Sequence, residues 1–168
     1  GSAVAVRGKD GRLRLMRTGK DAFLSREWLA ADADGRKATD ASLTDGVSCD
    51  DTGCVVQAAD GSTVALTLKA EAFADDCTRA TVIVTLRQPP VDCAALVLDQ
   101  EMLRARGTLA LRKGANGYTI IANRPRGVDR PWAPANRNDD ASTPAGQPSR
   151  PAQPVDATPA ESDLQPDD

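Results

Sequence analysis

The chain changes character at Ala133, and this change limits the part of the sequence that can fold. Seven of the 11 prolines lie beyond that point, among Ala, Ser, Thr, Asp and Gln residues and with almost no large apolar side chain. Such a segment buries too little apolar surface to offset the conformational entropy that it would lose on ordering. The sequence therefore predicts one folded domain over residues 3–134 and a disordered Pro- and Asp-rich tail over residues 135–168.

Composition and charge exclude several classes of function. The chain contains no histidine, which excludes a Ser-His-Asp or Cys-His nucleophile system and a His-ligated zinc site. The net charge is −3, and residues 1–132 hold 19 Lys and Arg against 17 Asp and Glu, whereas residues 133–168 hold 2 against 7. The folded part is thus nearly neutral and the tail is acidic. No apolar stretch approaches the roughly 20 residues that cross a bilayer.

Apolar runs, turn signals and helical spacing along residues 3–122 predict an α/β (α+β) fold. The predicted strands are residues 3–6, 13–16, 54–58, 63–68, 80–86, 94–98, 108–112 and 118–122. Predicted helices cover 21–31 with Asp21 as N-cap, 71–76 as a short turn, and 99–106 with Gly107 as C-cap. Residues 32–46 are polar and irregular. The strand–helix–strand order over 94–112 indicates an α/β layer, so we expect a β-rich mixed sheet with flanking helices.

Four cysteines restrict the folded part further. Cys49 and Cys54 bracket a turn that brings opposed strand positions within disulfide range. Cys77 precedes one predicted strand and Cys93 begins the next, so parallel strands entered from the same end would bring these two together. We predict the bridges 49–54 and 77–93, which imply an oxidising compartment. Four buried thiols and a four-thiolate zinc site are the alternatives, although structural zinc usually has two-residue spacings.

The first predicted hairpin concentrates positive charge. Its basic residues are Arg7, Lys9, Arg12, Arg14 and Arg17, opposed only by Asp10. Because strand side chains alternate, Arg12 and Arg14 are predicted to project from one face. A basic two-stranded ribbon can follow a phosphate backbone, so these five residues form the candidate nucleic-acid-binding site. The alternative is a solvated strand face that deters edge pairing.

Two acidic pairs raise the possibility of an enzyme. Asp50-Asp51 and Asp75-Asp76 have the chemistry of a two-metal carboxylate site of the nuclease type. The alternative is that acidic pairs at turns and helix ends are solvated. The sequence predicts no cofactor and no small-molecule substrate, since no phosphate-loop pattern accompanies its glycines.

Six segments, in this order and spacing, resemble the C-terminal soluble region of ComEC-family competence proteins. They are residues 3–13, Glu27-Trp28-Leu29, 46–54, 93–99, 107–111 and 130–134. The resemblance is greatest to the form in some Gram-negative bacteria, where this region is a degenerate metallo-β-lactamase-like domain. It therefore implies a partial metallo-β-lactamase-like framework over residues 3–134.

The resemblance also carries functional implications. Where catalytic-looking family members have a His-His-Gly-type segment, this chain has Arg87-Gln88-Pro89, so the resemblance does not support nuclease activity here. It implies a non-catalytic accessory domain on the periplasmic side of an inner-membrane protein that passes single-stranded DNA inward during natural transformation. The implied partners are the transmembrane part of the same parent protein and single-stranded DNA. A metal-dependent nuclease and an interaction module unrelated to DNA remain the alternatives.

Overall fold

A computed structural model describes residues 3–17 and 22–124 of the chain. Asp21, Trp132 and the predicted disordered tail lie outside the described residues. The nine described strands are β1 (Val4–Arg7), β2 (Leu13–Met16), β3 (Ser48–Cys49), β4 (Gly53–Gln57), β5 (Thr63–Thr67), β6 (Val82–Thr85), β7 (Leu96–Leu98), β8 (Leu109–Gly114) and β9 (Gly117–Ala122). The α-helices are α1 (Phe23–Ala31), α2 (Phe73–Arg79) and α3 (Gln100–Arg106), with 3-10 turns at Ala41–Thr44 and Ala70–Ala72.

The central element is a five-stranded mixed sheet with the order β3-β4-β5-β6-β7. Strands β3, β4 and β5 pair antiparallel, whereas β5, β6 and β7 pair parallel. Strands β1 and β2 form one separate hairpin, and β8 and β9 form another. The predicted α/β class with a β-rich mixed sheet is confirmed. The finer metallo-β-lactamase-like framework stays a prediction.

One face of this sheet carries the main hydrophobic core. Register places Leu66 between Cys54 on β4 and Val84 on β6, so alternate residues of all the longer strands point to the same side. The buried members of this cluster are Val4, Val6, Met16, Cys54, Val56, Val64, Leu66, Val82 and Leu98. Since β1, β2 and the apolar residues of β8 and β9 belong to the same cluster, the two hairpins cover this face.

The opposite face of the sheet is covered by α2. Ala65 and Ile83 are fully buried there against Phe73 of the helix. Two buried threonines follow on the same face: the Thr67 hydroxyl donates to Asp76 on α2, and the Thr85 hydroxyl donates to the Thr67 carbonyl at 2.9 Å. With both faces covered, β6 matches the doubly buried strand that its continuous apolar run predicts.

A third cluster lies on the other side of the first hairpin. Leu15 of β2 packs with Leu29 of α1 and Leu43 of the first 3-10 turn, and Trp28 is partly buried beside them. This placement explains why β2 buries residues on both of its faces. The helix begins at Phe23, with Ala22 at the N-cap position. The predicted capping role of Asp21 falls on a residue outside the described ranges.

The predicted α/β layer over 94–112 is wrong in one respect, because β8 does not join the sheet. After α3 the chain turns at Gly107, where φ is +72°, and β8 then pairs antiparallel with β9. The β8–β9 hairpin is held against the β4–β5 turn by a 2.7 Å ion pair between Lys113 and Asp60. The Tyr118 hydroxyl also donates to Ser62 Oγ at 2.9 Å. A strand with one apolar face can bury that face either by pairing within the central sheet or by packing over it in a separate hairpin. The local pattern of apolar residues does not distinguish these two arrangements.

Candidate functional site

All four cysteines form disulfide bonds, in the predicted pairing. Cys49 and Cys54 are direct register partners on β3 and β4, with their Cα atoms 4.1 Å apart. Cys77 near the end of α2 and Cys93 before β7 have Cα atoms 4.9 Å apart. The parallel pairing of β6 with β7 brings Cys77 and Cys93 together, as predicted for two parallel strands that are entered from the same end.

Two of the five basic hairpin residues are engaged in ion pairs within the domain. Arg7 donates to the carboxylate of Asp32, which follows α1, and to the Gly11 carbonyl. Arg14 pairs with Asp10 at 2.8 Å, and its side chain is only 14% exposed. Positive charge on the hairpin is therefore partly neutralised by tertiary contacts that the sequence pattern does not reveal.

The other three basic residues, Lys9, Arg12 and Arg17, are exposed. Strand β2 begins at Leu13, so Arg12 lies directly before it, and its carbonyl accepts from the Gly8 N–H at 2.9 Å. The predicted common face of Arg12 and Arg14 stays a prediction. Arg17 has a positive φ of 48° just after β2.

Arg12 lines a surface cavity of about 480 Å³ between the first hairpin and the loop after α1. The centre of this loop is an ion pair between Arg36 and Asp34, at 2.6 Å, in which the two side chains are 8% and 11% exposed. The same guanidinium donates to Ser42 Oγ at 3.0 Å and to the Leu13 carbonyl at 2.9 Å. Arg36 thus fastens the polar loop to β2 and shapes one wall of the cavity.

The carboxylate of Asp34 carries the clearest electrostatic perturbation at this cavity. Hydrogen bonds from the Arg36 side chain, and then from its backbone N–H, lower the pKa of Asp34 to about 2. The pKa of Asp40, on the same cavity, is lowered chiefly by hydrogen bonds from Ser42, with smaller contributions from the charges of Arg36 and Arg12. Both acids are therefore ionised and engaged at neutral pH.

This perturbation predicts an acid-dependent loss of stability. A carboxyl group with a lowered folded-state pKa stabilises the fold above its unfolded value, near 4, and loses that contribution as pH falls through its folded value, near 2. We expect Asp34→Asn to be less stable than the unchanged chain at pH 5, with the difference shrinking toward pH 2. Urea unfolding at both pH values measures it, and a carboxyl ¹³C NMR titration should place the midpoint of Asp34 near 2.

The matched control for this prediction is Asp45→Asn, an exposed acid that follows the 3-10 turn at Ala41–Thr44. We expect this control to change the free energy of unfolding at pH 5 by less than about 0.5 kcal/mol, as is usual for an exposed side chain. A difference between the unchanged chain and Asp34→Asn that stays constant from pH 5 to pH 2 would contradict the assigned cause.

Three of the four acidic residues that suggested a nuclease make side-chain contacts within the domain. Asp50 accepts from the Thr52 hydroxyl at 2.7 Å and from two backbone N–H groups, which closes the β3–β4 turn. Asp51 pairs with Lys69 at 2.7 Å, and Asp76 accepts from Thr67. Within residues 3–17 and 22–124, no three His, Cys, Asp or Glu side chains are grouped closely enough to hold a metal ion.

Sequence reasoning missed Arg36, Lys37 and Thr39 as cavity residues. They lie in the segment 32–46, for which the sequence predicts only a polar and irregular connection. One signal was available, since a long polar connection without regular structure is uncommon in a compact domain and often has a function.

No helix in the described ranges has both the length and the apolar character needed to span a membrane. A scan against protein-family models, a search of curated proteins and a search of solved structures each found no match to this chain.

Proposed function

We propose that this chain is a non-catalytic accessory domain of an inner-membrane DNA-uptake protein and lies on the periplasmic side. The observation that carries the proposal is the pairing of all four cysteines, because structural disulfides belong to oxidising compartments. The resemblance to the soluble C-terminal region of ComEC-family proteins supplies the role in natural transformation. Under this proposal, the domain's partner is the transmembrane part of the same parent protein.

The roles of the carboxylates favour an accessory domain over the nuclease alternative. A two-metal site needs several carboxylates that converge on the same ions. Here Asp50 and Asp51 serve a turn and an ion pair, while Asp76 bonds a buried threonine. A nuclease would have to release these contacts before binding its metals.

The proposal is tested in a transformable bacterium that carries the parent gene with a tag next to this domain. We expect the domain in the inner-membrane fraction, digested by protease added to spheroplasts, with thiols that react with a maleimide only after reduction. An in-frame deletion of residues 3–124 should abolish transformation by linear donor DNA while leaving DNA binding at the cell surface intact. A cytosolic domain with four reactive thiols would contradict the proposal.

The nuclease alternative has its own control on the purified 168-residue chain. We expect no cleavage of single-stranded DNA in Mg²⁺ or Mn²⁺, in line with the roles of the carboxylates. Cleavage that Asp50→Asn abolishes would support the nuclease alternative instead. Asp92→Asn, in the exposed loop before Cys93, is the matched acidic variant that should leave any such activity unchanged.

A further inference from the structure

The cavity beside the first hairpin has a charge distribution suited to an anion. Three cations and two carboxylates line it, which leaves one formal positive charge. Both carboxylates are occupied: Asp34 binds Arg36, and Asp40 accepts from the backbone N–H and the hydroxyl of Ser42 at 2.9 and 2.7 Å. The negative charges therefore already have partners within the domain.

The remaining polar side chains of the cavity are donors. Among the residues that the structure describes, the side chains of Arg12, Lys37 and Thr39 have no hydrogen-bond or ion-pair partner. An arginine fork, a lysine ammonium group and a hydroxyl are the donors that proteins commonly direct at phosphate oxygens. Arg36 differs from them, since its guanidinium is used by Asp34, Ser42 and Leu13 and serves to hold the loop.

We propose that this cavity binds a backbone phosphate of single-stranded DNA through Arg12, Lys37 and Thr39. The phosphate chemistry follows from the cavity itself, and the choice of single-stranded DNA as its source rests on the proposed function. Only Arg12 of the five basic hairpin residues belongs to this site. The described lining includes no aromatic side chain, so binding is weak, independent of sequence and strongly reduced by salt.

The test is an NMR titration of the full 168-residue chain, followed through backbone amide shifts. Inorganic phosphate is added first and a ten-nucleotide oligo-dT second, each at low and at high salt. We expect shifts centred on Arg12, Lys37 and Thr39 with both probes, and weaker binding at high salt. Arg12→Gln and Lys37→Gln should each reduce oligo-dT affinity by about fivefold or more.

The matched control is Lys9→Gln, which removes an exposed cation of the same hairpin that does not line the cavity. We expect it to change affinity by less than about twofold, since Lys9 does not line the cavity and an exposed charge outside it acts on the phosphate only through screening solvent. An equal loss for Lys9→Gln and Arg12→Gln would assign binding to the whole basic hairpin and overturn the cavity site.

Two other results would also overturn the inference. Absence of phosphate shifts at the cavity would remove the anion site, and phosphate binding without oligo-dT binding would remove DNA as its source. Neither result affects the accessory-domain proposal, which depends on membrane location and on transformation after deletion of residues 3–124. The two proposals can therefore fail separately.

Discussion

Replacing Leu66 by alanine is expected to destabilise the domain by about 3–4 kcal/mol, the range typical of a buried leucine at a site that cannot collapse. Leu66 is fully buried on β5, the central strand, with paired neighbours on both sides. The two hairpins pack over this face, so the vacated volume is enclosed by separate elements that are each fixed by their own pairing. Urea unfolding followed by circular dichroism measures the change.

The control for Leu66→Ala is Val55→Ala on the adjacent strand, where the side chain is 38% exposed. We expect a loss below about 1 kcal/mol there, because less apolar surface leaves the core. If Leu66→Ala proves too unstable to purify, Ile83→Val on the fully buried opposite face provides a graded variant, expected to cost about 1 kcal/mol. Equal losses at Leu66 and Val55 would contradict the described core.

Sequence reasoning located most strands and helices because their signals are local. An Asp-Gly turn between two strand-like segments, residues 3–6 and 13–16, predicts the β1–β2 hairpin. Helical spacing after Asp99 predicts α3, and the Asp99 side chain accepts from the Met102 N–H at 2.8 Å. The placement of β8 was missed because alternation gives a strand its apolar face but not the layer on which that face packs. Strand partners are set by contacts distant in sequence.

The candidate site was predicted only in part, for a similar reason. Charge density alone indicated the basic hairpin, yet Arg7 is neutralised by Asp32, which is 25 residues away in the chain. The cavity joins Arg12 to a loop more than twenty residues later, and its donors follow no periodic pattern. The disulfides were accessible to prediction because each depends on one simple relation, a tight turn for one pair and parallel neighbouring strands for the other.

The two disulfides are expected to differ in their contribution to stability. Opening the Cys77–Cys93 bridge, which spans 16 residues, should lower the free energy of unfolding by about 3 kcal/mol, and opening the Cys49–Cys54 bridge, which spans 5, by about 2 kcal/mol. The longer loop restricts the unfolded chain more, so its release gives the unfolded state more entropy. Urea unfolding with and without reductant measures both values.

The design must separate the bridge from the packing of its sulfur atoms, because Cys54 is only 2% exposed. Cys49→Ala/Cys54→Ala, compared with and without reductant, isolates the 77–93 bridge while every side chain stays constant. Cys77→Ala/Cys93→Ala isolates the 49–54 bridge in the same way, and the variant without cysteines should not respond to reductant. A larger effect for the shorter bridge would contradict the loop-entropy argument.

The combined effect of the bridges connects stability to the proposed location. Together they amount to about 5 kcal/mol, against a total of about 5–15 kcal/mol for a typical domain. A chain with only 3% aromatic residues has few large side chains with which to replace that contribution. We therefore expect the fully reduced chain to populate its unfolded state measurably at 37 °C, as judged by pulse proteolysis, and the oxidised chain to resist the same protease. Equal resistance of the two forms would remove the energetic reason for placing this domain in an oxidising compartment.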